Sequence, residues 1–371
     1  MKRFGIVLFA CLALVLLALP VSAAESDEQT PASWNDFLSG LPDGVRERLP
    51  ESDDVTALSD LVGVKSFFAL LSEGFSSGWQ TVLPTFLSLL ALILLAACYD
   101  LFARNGGSEN RALISGALSV ALALSVFRLA QGTVSDAVGC LSSLSQVMRA
   151  FLPVMTALSL SGGGVAVAAA SGTGISAILT LVGLFFCRVL PAVAGCCFGL
   201  SLVGSLGEND LKLDGISSNL RGFFLFSAGI LSTLLTGSLA LQTGLSSASD
   251  GVALKTAKTA LSGMIPIVGG TVSGALATVT GSLSLLRRAV GIGAVYALLL
   301  LLIPTLIRLL LIRFSFSLSA AVARAFSLSS TERLLGEFRA VSDLLLASLA
   351  MGTAVFFIAT GVLVRCVPSA G

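Results

Sequence analysis

Long apolar runs cover most of the chain, and polar residues fall in short clusters between them. Several runs reach 18 residues or more, the length that spans a bilayer as a helix. The first run is shorter. Lys2 and Arg3 precede apolar Ile6–Leu19, and small residues follow at Val21-Ser22-Ala23, so residues 1–23 read as a secretory signal peptide, with an uncleaved anchor as the alternative. Cleavage would put residues 24–78 outside the cytoplasm. This segment carries Pro31, Pro42 and Pro50 and has a helical apolar face only at Ser59–Leu71, through Leu61, Val64, Phe67, Phe68 and Leu71. So small a segment is not expected to fold alone. It reads as a docking arm for a partner or a flap on the membrane surface.

Six full spans follow. Trp79–Ala103 comes first, with Trp79 and Arg104 marking its two interfaces within a unit of residues 79–111. Ala112–Ala130 returns, and Gln131–Arg149 reads as an amphipathic linker carrying Asp136. A broken element near 150–170, opened by Pro153 and loosened by Gly162-Gly163-Gly164, precedes a span near 175–200 that contains Pro191. Gly222–Gln242 is free of charge, and Thr243–Ser262 carries Asp250. Ala289–Ile312 contains Pro304, Arg313–Ala340 reads as an amphipathic surface helix, and Val341–Val364 closes the series in a last unit of residues 314–371.

One stretch resists this description. Gly263–Gly293 is too apolar for water, yet Pro266 and Gly269, Gly270, Gly274 and Gly281 interrupt it. Broken backbone survives at membrane depth only inside protein or beside a wet cavity. It reads either as a discontinuous or re-entrant element, or as a Gly-rich helix packed closely through Gly270 and Gly274 at GxxxG spacing.

The stretch is also the second of two similar units, 112–206 and 222–313. Pro153 and Pro191 are 38 residues apart, as are Pro266 and Pro304. Asp136-Ala137-Val138 and Asp250-Gly251-Val252 precede the first proline of each unit by 17 and 16 residues. Paired Gly/Pro-interrupted segments mark repeat-built transporter folds. The predicted architecture is therefore all-α: a polytopic membrane bundle with Pro/Gly-broken elements and an internal duplication.

Composition sharpens this. The chain is 55% hydrophobic and 12% charged, with a mean hydropathy of +0.96. Its net charge of +1 hides an asymmetry: residues 24–78 hold 11 acids and 3 bases, and the remainder from Trp79 holds 10 acids and 17 bases. No basic run or aromatic-basic patch suggests nucleic acid. With no histidine, His metal sites, Ser-His-Asp triads and His relays are excluded. The seven cysteines form no CxxC pair, and vicinal Cys196–Cys197 reads as core packing. No phosphate loop, dinucleotide fingerprint or metal cluster is present, so no enzyme activity, cofactor or metal is expected. The candidate structural or gating residues are Asp136, Asp250, Pro153, Pro191, Pro266, Pro304, Gly269, Gly270 and Gly274. Asp136 and Asp250 read as gating groups or as helix caps, and Arg287-Arg288 as interfacial snorkels.

From Asp250 to Tyr296 the residues DGVALKTAKTALSGMIPIVGGTVSGALATVTGSLSLLRRAVGIGAVY resemble the stage III sporulation protein AE family. The Asp250-Gly251-Val252 … Thr256-Ala257-Lys258 run, Ile265–Gly269 and Arg287–Gly291 carry the resemblance, and the layout of the whole chain fits it. The resemblance implies a multi-pass component of the channel complex between mother cell and forespore, in the mother-cell membrane around the forespore. It implies other stage III A-operon proteins and stage II sporulation protein Q as partners, alongside the lipid bilayer, and no catalytic residues. A stand-alone secondary transporter with duplicated broken helices and a non-conducting membrane scaffold are the alternatives.

Overall fold

The computed structural model describes residues 34–50, 63–103, 111–161, 174–206, 215–238 and 269–365, with Leu58, Leu61, Ala168, Ala169 and Leu241 besides. Side chains are described up to 99 in the first long helix, from 118 in the second (119 apart) and from 284 in the penultimate one. The signal segment, Asp250 and Pro266 lie outside these residues.

Two short helices come first, α1 (Trp34–Ser39) and α2 (Asp43–Arg46). The long ones are α3 (Val64–Ala103), α4 (Arg111–Ser161), α5 (Ser176–Leu184) running through a π turn into α6 (Leu190–Leu206), α7 (Gly215–Ser238), α8 (Gly269–Ala325) and α9 (Ser329–Arg365). Among the described residues six helical stretches are long and apolar enough to cross a membrane, and each of the six expected spans overlaps one of them.

The helices outrun the spans. α8 has 57 residues, about 85 Å at 1.5 Å per residue, against a hydrocarbon core of about 30 Å. Its expected break is not there: the backbone is helical without interruption through Gly269, Gly270, Gly274 and Gly281. Four glycines cost helix propensity, but over so long a helix the intrahelical hydrogen bonds and the packing of residues 284–325 outweigh it. The Gly-rich continuous helix is the reading that holds from Gly269 onward.

The Asp136 linker is likewise no separate element. It continues α4, a single helix of 51 residues with Pro153 inside it. Pro304 lies inside α8 in the same way. Pro191 does leave a mark. It follows the π turn Phe185–Val189, which takes up the carbonyl register that a proline leaves without a donor. The surface helix expected at Arg313–Ala340 is divided. α8 runs to Ala325, the chain reverses, and α9 starts at Ser329. Ser327 adopts φ 61°, with Leu328 N–H donating to Ala323 O (3.0 Å) and Ser327 N–H to Arg324 O (2.9 Å), the two bonds that close a helix C-terminus.

Close contacts set the registers. α9 runs antiparallel to α8, with Val364 over Gly291, Arg313 on Asp343, and Phe316 against Phe338. α4 is also antiparallel to α8, with Asp136 on Arg308, the Cys140 thiol on Leu301 O (3.4 Å), and Arg287 on Leu158 O. α3 is parallel to α8: Gly74 faces Pro304 and Ile307, and Gly78 faces Leu311. A Cβ on Gly74 would lie 2.9 Å from Ile307 Cδ1, so glycine is what lets these helices approach. Buried hydroxyls on α4 and α9 turn inward on their own helices. Ser159, Ser342, Ser348, Thr353 and Thr360 each donate to the carbonyl four residues back.

Within residues 24–78, the described residues 34–50 and 63–78 do not stay apart as an arm or a flap. The boundary expected at 78 falls inside α3, and α1 and α2 dock on the bundle. Trp34, Phe37, Leu38, Leu41, Val45 and Leu49 are all buried. The segment is too small for a core of its own, so it joins the larger one.

Candidate functional site: paired charges and a polar strap beside the apolar span

Between Arg288 and Arg308, α8 carries no charge for 19 residues, 289–307, or about 28 Å of helix. The charges that bracket this stretch are handled differently. At one end Arg287 is 8% exposed, donates from Nη2 to Leu158 O at 3.1 Å, and leaves Nε without a partner. It was expected to snorkel, but α4 covers it. At the other end Arg308 pairs with Asp136 at 2.9 Å, each side chain about a third exposed. Asp136 therefore sits in the interior of α4 and caps nothing.

Beyond Arg308 a belt of pairs ties α8 and α9 to their neighbours. Arg313 pairs with Asp343, and exposed Arg324 with Glu332 at 2.7 Å. The most enclosed pair is Arg221 of α7 with Glu337 of α9, 2.9 Å apart and 12% and 16% exposed. Ser217 Oγ also donates to Glu337 Oε2 at 2.9 Å. Charges at membrane depth persist when they face the interior and find partners.

Among the described residues Arg287 has no carboxylate partner. Replacing a buried, poorly compensated charge by an apolar side chain of similar length is commonly neutral or stabilising. Arg287→Met is therefore expected to hold stability or raise it by about 1 kcal/mol, read by thermal unfolding in detergent. A marked loss would show that the Leu158 contact carries the α4–α8 junction.

The strap lies beside the same charge-free stretch of α8. Trp34 and Phe37 pack on Gly293, where a Cβ would lie 2.7 Å from Trp34 Cη2. Phe37 meets Phe151 edge-on at 6.5 Å, and Gly40 faces Ala150. Trp34 Nε1 donates to Pro50 O at 3.1 Å. Arg48 grips Glu73 with two hydrogen bonds, 2.7 and 3.0 Å, and the carboxylate holds its guanidinium above the ordinary range. The outer face of α1 and α2 is polar, with Asp36, Asp43, Arg46, Glu47 and Arg48 exposed, while the first turns of α3 expose Lys65, Glu73, Ser76 and Gln80 beside the aromatic rings of Phe67, Phe68, Phe75 and Trp79.

α7 is the least enclosed of the six membrane-capable helices and exposes Phe226 (66%), Ile230 and Leu234 (65%). Its Phe224 stacks on Phe185 at 5.3 Å, and Phe186 adjoins Gly352 of α9.

Of the residues expected to matter, Asp136 meets Arg308, one helical turn from Pro304. Pro153 lies in α4, 17 residues from Asp136, and Pro191 in α6. Gly269, Gly270 and Gly274 lie on the first turns of α8. Sequence reasoning missed Arg308 as the partner of Asp136, and Trp34 and Phe37 as core residues. The spacing Trp34, Phe37, Leu38, Leu41 is a helical apolar face that could have flagged the latter. Among the described residues no group of three or more Cys, Asp or Glu could hold a metal ion. The Cys197 thiol is buried and its neighbour Cys196 exposed.

Comparison with known proteins decides the family. The sequence model of stage III sporulation protein AE matches residues 58–366. The chain belongs to the stage III sporulation protein AE family. The stage III sporulation protein AE of Bacillus subtilis (strain 168) is 24% identical over 318 residues, 82% of this chain and 77% of that protein. No solved structure matches. The region matching stage III sporulation protein AE holds α3 to α9 and both members of every ion pair described above except Arg48, while α1 and α2 precede it.

Proposed function

We propose that this protein is an integral membrane component of the channel complex linking mother cell and forespore, acting from the mother-cell membrane around the forespore. In this reading it supports forespore development and late forespore gene expression. Other stage III A-operon membrane proteins and stage II sporulation protein Q are its partners. The observation that carries the reading is membership of the sporulation family over residues 58–366, in a chain whose described residues include six membrane-capable helices. Deleting the gene in its spore-forming host is expected to arrest sporulation at the forespore stage with low late forespore gene expression. Normal spores would overturn the reading.

Within that role, Asp136 and its counterpart Asp250 are gating groups of a duplicated unit. The support for Asp136 is its pairing with Arg308, which latches α4 to α8 beside the proline-bearing turn of α8. So exposed a pair stabilises by no more than about 1 kcal/mol. Asp136→Asn is therefore expected to leave the fold intact and lower spore yield, with Asp136→Arg/Arg308→Asp restoring part of it. Unchanged yield in Asp136→Asn, Asp250→Asn and the double variant would favour a non-conducting scaffold.

A further inference from the structure

We propose that the hollow between the last turns of α8 and the first turns of α9 holds the phosphate headgroup of an anionic phospholipid, with an acyl chain lying along the adjoining apolar stripe of α8. The site is independent of the channel role, so its test needs no sporulating cell.

Spacing along the two helices builds the hollow. Arg313, Ser317, Ala320 and Arg324 recur every three or four residues and share one face of α8. Ser329, Arg333, Gly336 and Arg339 do the same on α9. The reversal at Ser327 lays the two faces side by side. Arg324 on Glu332, Arg339 on Ser317 and Arg313 on Asp343 mark the seam between them. Ala320 and Gly336 are too small to fill that seam, and a space of about 430 Å³ is left over them. A Cβ on Gly336 would meet nothing within 4 Å. The volume lies in the range of small-molecule sites, roughly 300–1,000 Å³.

The lining is basic. Arg324, Arg333 and Arg339 stand against one acid, Glu332, for a net charge of +2. Arg324 is 73% exposed, and so open an ion pair adds little to stability, which leaves its guanidinium able to turn to a second anion. Arg339 donates to Ser317 Oγ at 3.4 Å, a long bond to a neutral acceptor. Guanidinium forks match phosphate oxygens, and basic hollows between membrane helices hold phospholipid headgroups. The apolar stripe decides for a lipid over a soluble phosphate. Leu310, Phe314 and Leu318, four residues apart, are all exposed and run along the face of α8 that adjoins the hollow. α3 is parallel to α8 with Gly78 on Leu311, which carries exposed Leu87 to about the height of Ala320. Apolar side chains left outside on two helices at that height favour an acyl chain, and a guanidinium beside lipid needs an anionic partner.

Native mass spectrometry of the full-length protein released from detergent reads the site. The protein is offered equal amounts of dioleoyl phosphatidylglycerol and dioleoyl phosphatidylcholine, which differ in net headgroup charge. Several-fold preferential retention of phosphatidylglycerol is expected. Arg333→Gln/Arg339→Gln should bring the two lipids to parity. Arg46→Gln/Arg149→Gln, the same loss of charge at exposed arginines elsewhere, should keep the preference. Gly336→Leu fills the hollow without changing charge and should abolish the preference too. Equimolar glycerol phosphate should displace no lipid, since it lacks the chain that the stripe holds. Parity in the wild type would overturn the proposal and leave the hollow to an acidic segment of a partner protein. A preference that survives both Arg333→Gln/Arg339→Gln and Gly336→Leu, or that falls equally in Arg46→Gln/Arg149→Gln, would overturn it by tracing the preference to overall charge. Displacement of phosphatidylglycerol by glycerol phosphate would overturn the lipid assignment in favour of a soluble phosphate.

Discussion

Trp34→Ala and Phe37→Ala are each expected to destabilise the bundle by about 3–5 kcal/mol, the range for truncating a buried aromatic side chain. Trp34 is 5% exposed and Phe37 fully buried, although both belong to a segment whose composition suggests a solvated arm. Their rings pack on each other at 5.5 Å and on Gly293, so truncation opens a cavity between α4 and α8 that the long helices cannot close. Truncating Trp34 also leaves Pro50 O without its indole donor. Two measurements check this. Unfolding of the purified protein by denaturing detergent should shift to lower concentration, and trypsin should cut faster after exposed Arg46 and Arg48 as the strap detaches. Gly293→Leu should act in the same direction from the other side, because any Cβ there meets the indole ring. Wild-type cleavage rates in all three variants would show that the strap is not held by this wedge.

Arg221→Met should cost about 3–5 kcal/mol, because it strands Glu337 as a buried charge. Both side chains are more than four-fifths covered, and among the described residues Arg221 is the basic partner of Glu337. What remains for Glu337 is the Ser217 hydroxyl, a single neutral donor for a carboxylate. Glu337→Gln should cost less, since the amide keeps an acceptor for Ser217 and Arg221. The double variant Arg221→Met/Glu337→Leu should recover much of the loss, as apolar replacements of buried pairs often do. A double-mutant cycle in thermal unfolding measures the coupling. Additive effects of the two single changes would mean that α7 is held to α9 by its apolar contacts alone, with the ion pair incidental.

The apolar periodicity carried most of the architecture. Six runs of sufficient length predicted six membrane-capable helices, because backbone groups in hydrocarbon bond within their own segment and leave helix as the available form. The family was legible from residues 250–296. Helix ends were harder. Gln131–Arg149 and Arg313–Ala340 look amphipathic in isolation, yet the first lies within α4 and the second is divided between α8 and α9. Polar residues on a buried helix need only partners, and the partners of Asp136 and Asp343 lie on α8, 172 and 30 residues away along the chain. Proline misled in one sense, since Pro153 sits inside a continuous helix whose length and packing outweigh a local loss, whereas Pro304 lies within its helix as the apolar run predicts.

Hydropathy alone, then, was enough for the class and for the membrane-capable helices among the described residues, since these depend on what each residue tolerates as solvent, while the family came from the residue motifs of 250–296. It could not say which of two polar faces meets another helix and which meets water. That depends on registers between distant segments: Gly74 on Pro304, Asp136 on Arg308, Trp34 on Gly293. Only those contacts turn an acidic segment with three prolines into a strap buried on one side, and only they set its charged side against the apolar stretch of α8. The physical reason is that burial is a property of pairs of surfaces, and a single chain segment shows only one member of each pair.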